Sequence, residues 1–150
     1  MMAALPPLYT RDILRLAASI PFLDPLGDPH GAAELRSPAC GSRMRVAVRL
    51  DGAGRVAALG LTVEACAFGQ ASAALLGRHA VGRSRDEVAA ALAELRAWLC
   101  GEGAVPAWPG LAVLEPVLGR HGRHGAVMLP FRTLVAAIDA ASHAPSVRPE

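Results

Sequence analysis

Mixed α and β structure is what this chain of 150 residues predicts, and three observations carry that reading. RMRVAVRL (43–50) alternates cleanly. Met44, Val46, Val48 and Leu50 lie to one side and Arg43, Arg45 and Arg49 to the other, the pattern of a half-buried strand. DGAG (51–54) has hairpin turn chemistry, and RVAALGLTVEA (55–65) supplies a return strand with Leu59, Leu61, Val63 and Ala65 on one face. SRDEVAAALAELRAWLCG (84–101) is a helix that carries its own start and stop. Ser84 and Glu87 form a capping box, Val88, Leu92, Leu95 and Leu99 make the apolar stripe, and Gly101 ends it.

The remaining elements follow in order. LYTRDILRLAASI (8–20) has a helical stripe of Leu8, Ile13, Leu14, Ala17 and Ile20. Residues 21–42, rich in proline and glycine, read as an irregular connection that delivers Cys40 to the first strand. After Cys66 comes a helix made almost wholly of small residues and leucine. Residues 104–129 read as a long mixed connection with one helical turn around 111–118. Pro130 is expected to open the final helix, with Phe131, Leu134, Val135 and Ile138 facing inward. The expectation is one domain over 1–150, its core at about 8–140, with 141–150 a disordered tail.

Composition removes several classes of function. The chain is 53% hydrophobic with net charge +2, which excludes disorder by composition. It contains no Lys and no Asn, so a phosphate-loop lysine, a Schiff-base lysine and an Asn glycosylation site are impossible. No arginine cluster is interleaved with aromatics, and nucleic-acid binding is not expected. The apolar residues are dispersed and no signal peptide is visible, so a cytoplasmic protein without a membrane partner is expected. Three cysteines in such a chain point to thiol or metal chemistry, or to simple burial, rather than to a disulfide framework.

The hairpin puts Cys66 at the exit of its second strand and Cys40 at the entry to its first, which are the same end of an antiparallel pair. The two thiols should be neighbours. Cys66 also starts a helix, where free N–H groups and the positive end of the macrodipole favour an anion. Taken alone, it fits a buried structural thiol as well as a ligand.

SPACGSRMRVAVRLDGAGRVAALGLTVEACAFGQASAALL (37–76) resembles the first two cysteine blocks of the U-type iron–sulfur cluster scaffolds (IscU, SufU and the amino-terminal part of NifU). LYTRDIL (8–14) is similar to their opening helix, AVGRSRDEV (80–88) to their link into the next, and RHGAVMLPFRTL (123–134) to their third block. The long segment between Cys66 and that block makes the SufU-like branch the closer match. The resemblance implies an α+β fold, a small antiparallel sheet packed against several helices. It implies a scaffold rather than an enzyme, holding iron, zinc or a nascent iron–sulfur cluster. Its partners would be a cysteine desulfurase and recipient apo-proteins, and the chain itself a monomer or weak dimer. The family's first two cysteines match Cys40 and Cys66. Its Asp position holds Ser42 and its third cysteine falls on Ala126. A tetrahedral zinc or a two-iron cluster takes four protein ligands, so the chain looks like a divergent member of that family with two of the four missing.

His124, two residues before Ala126, is the expected replacement ligand if that segment is extended, with a solvated loop histidine as the alternative. Glu64 and Cys100 are lesser candidates. The residues support a scaffold-like protein working through Cys40, Cys66 and His124, or a metal-free adaptor that docks on a desulfurase or on a true scaffold.

Overall fold

The computed structural model describes residues 9–39 and 41–143, so Cys40, Leu8 and residues 144–150 lie outside it. The elements run α1 (Arg11–Ala17), β1 (Gly31–Ser37), β2 (Ser42–Leu50), β3 (Val56–Glu64), α2 (Ala67–Ala80), α3 (Arg85–Leu99), 3₁₀ segments at Leu111–Val117 and His121–Arg123, and α4 (His124–His143). The three strands form one antiparallel sheet in the order β1-β2-β3. The α+β expectation holds.

The β2–β3 hairpin forms as expected, with Met44 opposite Val63, Val46 opposite Leu61 and Val48 opposite Leu59. Met44, Val46, Val48, Leu59 and Leu61 are buried beneath the helices, while the arginine face of β2 stays outside. Helices start where their caps dictate. The Thr10 hydroxyl accepts from Ile13 N at α1, and Ser84 and Glu87 exchange both capping-box bonds at α3. The bond from Ser84 N, followed by the Arg55 guanidinium, holds the Glu87 carboxyl below its usual range. That contribution to stability is present above the ordinary glutamate pKa and is lost as pH falls through the lowered one. The thermal midpoint should therefore drop on acidification, and drop less in Glu87→Gln, which has no carboxyl to titrate.

Two expectations are corrected. Residues 31–37 are not part of an irregular connection but the edge strand β1, paired with β2 from Gly31 opposite Val48 to Ser37 opposite Ser42. GAAELRS lacks the alternating large apolar residues that mark a strand, because α4 lies so close above it. A methyl group at Gly31 would meet Ala137 O and Ala141 Cα, each at 2.7 Å. A methyl at Gly125 would run into the Ser37 hydroxyl. These two contacts set α4 antiparallel to β1 along its whole length.

The second correction concerns α4, which begins at His124 and carries Pro130 inside it. Proline has no N–H for the carbonyl of Ala126 four residues earlier, normally a costly loss. Burial outweighs it, since Ala126, Val127 and Leu129 are all buried. The Ser72 hydroxyl also reaches across from α2 to donate to Val127 O at 2.6 Å. Ser72→Ala should cost about 1 kcal/mol, read as a lower urea midpoint at unchanged slope. His121–Ser142 is long and apolar enough by composition to cross a membrane, against the expectation that no stretch is; half of it is buried inside the fold, as in a core helix.

Residues 21–30 do form an irregular connection. It meets the β3 edge where Phe22 O accepts from Leu61 N, and Leu26 then lies over Gly60 on the outer face of the sheet.

Candidate functional site

One corner of the sheet collects the third-block and first-block residues. β1 and β2 close on one another at Ser37 and Ser42, which are opposite each other and only 2% and 3% exposed. Neither residue is without a partner. At the same end, Glu64 finishes β3 opposite Arg43, and the chain turns through Ala65 and Cys66 into α2. Gly125 at the start of α4 lies against Ser37. Ala126, fully buried, lies against the first turn of α2. A methyl placed on Gly69 would stand 2.7 Å from the Ala65 Cβ and 3.4 Å from the Ala126 Cβ.

Cys66 is the N-cap of α2, with extended backbone (φ −68°, ψ 172°), and its side chain makes no capping hydrogen bond. The thiol is half-buried against the core. Small residues make this entry feasible, since Gly69, Ala71, Ser72, Ala73 and Ala74 are all buried and let α2 sit close to α4. The β1 and β2 strands pair as far as Ser37 opposite Ser42 at this end. Cys40 itself is outside the described residues.

The other candidates have partners of their own or lie exposed. His124 is not in an extended segment. It is the first residue of α4, and its Nε2 lies 3.0 Å from Val117 O and 3.1 Å from Leu118 O. Glu64 pairs with Arg43, a cross-strand partner on the outer face of the sheet. That hydrogen bond, then the charges of Glu64 and Glu34, raise the arginine pKa. The strand alternation that put Glu64 beside Cys66 ends at Ala65, where the helix entry begins. Cys100 caps the end of α3 and is exposed. Among the described residues, no three His, Cys, Asp or Glu side chains converge as a metal group.

Ser37, Gly69 and Gly125 also belong to this corner, and no sequence motif marks them as its members. Ser37 ends β1, a strand with no alternating apolar pattern. The glycines carry no side-chain chemistry, and their role is to let α2 and α4 approach.

The three-stranded antiparallel sheet with helices packed on it is a fold shared with solved NifU-like and SufU scaffold structures. The amino-terminal part of a NifU-like protein from Brucella abortus is similar to this chain, with TM-score 0.84 and 28% identity, over 90% of this chain and 94% of that one. A protein described as an iron–sulfur cluster assembly scaffold for the SUF system, from the thermophile Fervidobacterium islandicum AW-1, shares the fold at TM-score 0.79 and 19% identity, over 87% of this chain and 96% of its own. No protein-family model matches the chain, and no curated protein matches it significantly.

Proposed function

We propose that the chain is a scaffold-like protein of iron–sulfur cluster assembly that takes its cargo on Cys66 and Cys40 with an incomplete set of donors. The cargo would be iron, zinc, a nascent cluster or transferred sulfur. The observation that carries this reading is the corner itself. Ser42 and Ala126, the positions where the family resemblance expects two further ligands, are both buried where the hairpin end and α4 meet the sheet and α2.

The donor set is too small for a closed four-ligand site. A methyl group coordinates nothing, and a neutral hydroxyl is a poor donor. Metal should accordingly be held weakly, because each missing anionic ligand also removes charge compensation for the cation. A cytoplasmic, non-catalytic protein that meets a cysteine desulfurase and recipient apo-proteins follows from the same reading. The same poverty of donors favours a second reading, a metal-free adaptor that keeps the scaffold's shape to dock on a desulfurase or on a complete scaffold.

Elemental analysis of anaerobically purified chain, beside Cys40→Ala and Cys66→Ala, separates the two. Iron or zinc that is present in the parent, lost in both variants and stripped readily by a chelator supports the scaffold reading. Equal, negligible metal in all three proteins supports the adaptor. Stoichiometric metal that survives a strong chelator would mean that replacement ligands exist and that the weak-site argument is wrong.

A further inference from the structure

We infer that His121 and His124 form a two-imidazole site for a borderline divalent transition ion such as zinc, one that uses neither cysteine and does not rest on the function proposed for them. The 3₁₀ segment His121–Arg123 runs directly into α4, and residues three apart in a 3₁₀ turn eclipse one another. The two rings accordingly sit with centroids 5.0 Å apart and planes tilted by 50°.

The hydrogen bonds of His124 then select its metal-binding nitrogen. Val117 O and Leu118 O can only accept, so Nε2 must carry the proton it shares between them. In the neutral ring this leaves the Nδ1 lone pair free. Metal-bound histidines ordinarily have this arrangement, with one nitrogen on the ion and the other N–H held by a backbone carbonyl.

The ring separation agrees with a shared ion. With a metal–nitrogen bond of about 2.0–2.1 Å, and a ring centre about 1.1 Å beyond the nitrogen, two imidazoles on one tetrahedral ion have centres about 5 Å apart. The chemistry of the neighbourhood narrows the ion. No carboxylate joins the pair in a metal group among the described residues, and Arg120 and Arg123 flank it in sequence. Calcium and magnesium, which need oxygen ligands, are disfavoured; zinc, nickel and copper accept imidazole. Water completes the coordination, so the ion exchanges readily.

The test uses the full chain with Cys40→Ser, Cys66→Ser and Cys100→Ser, which removes every thiol. Zinc titrated into it should bind at one ion per chain. His121→Gln and His124→Gln should each weaken that binding by roughly tenfold or more, while His79→Gln leaves it unchanged. Long-range ¹⁵N–¹H spectra should show Nδ1 of His124 on the metal with Nε2 still protonated. If the thiol-free variant does not fold, the same ring signals are followed in the wild-type chain. Undiminished affinity in His121→Gln, or zinc on Nε2 of His124, overturns the site.

Discussion

The variant carrying both Ser42→Asp and Ala126→Cys should bind one more zinc ion per chain than the parent, held tightly at the corner where the parent holds it weakly or not at all. The two changes add a carboxylate and a thiolate to Cys40 and Cys66, making four anionic or soft donors for a tetrahedral ion. Space for the sulfur exists because Gly69 has no side chain, and the point where its Cβ would stand lies 3.4 Å from the Ala126 methyl. The carboxylate enters at a residue only 3% exposed, so it has little access to water.

Without metal, Ser42→Asp alone should lower stability by about 1–3 kcal/mol, the cost of a polar group buried without a partner. With zinc at a thousandfold excess over its dissociation constant, the double variant should gain about 4 kcal/mol by mass action, read as a raised thermal midpoint. Each single variant should bind more weakly than the pair. If the double variant takes up no more zinc than the parent and melts at the same temperature with and without it, Ala126 is not a ligand position. The corner would then reduce to Cys40 and Cys66.

Gly31→Ala should be the most damaging single methyl in the protein. The added carbon would meet only backbone, Ala137 O and Ala141 Cα at 2.7 Å and Ala141 N as well, and backbone cannot rotate out of the way. α4 must then lift from β1, which also loosens Gly125 on Ser37 at the other end of the same helix. A loss of about 3 kcal/mol is expected, a large share of the stability of an ordinary domain. Gly27→Ala is the matched control, since nothing lies within 4 Å of the added carbon. It should change stability by no more than about 0.5 kcal/mol. Equal urea midpoints for the two variants would mean that α4 does not lie on β1 as closely as described.

Local signals in the chain settled the β2–β3 hairpin and α3, because each records its own environment. β2 alternates arginine with large apolar residues, so one face must be buried and the other solvated. α3 carries both halves of its capping box within four residues. The position of Cys66 at a strand-to-helix junction was legible for the same reason.

β1, the start of α4 and the surroundings of His124 depend on contacts distant in sequence, and no local pattern contains them. GAAELRS is a strand because β2 supplies its hydrogen bonds and α4 covers it, and its small residues record the closeness of that helix rather than any preference for strand. Pro130 reads locally as a beginning. Burial of Ala126, Val127 and Leu129 nevertheless carries the helix back to His124, because packing against the sheet and α2 outweighs one lost backbone bond. That shift turned His124 from an extended residue beside Ala126 into a helix-start residue tied to Val117 O and Leu118 O. Chemistry carried by residue type can be read from order along the chain, but which atoms those residues meet is decided only when α4 settles on the sheet.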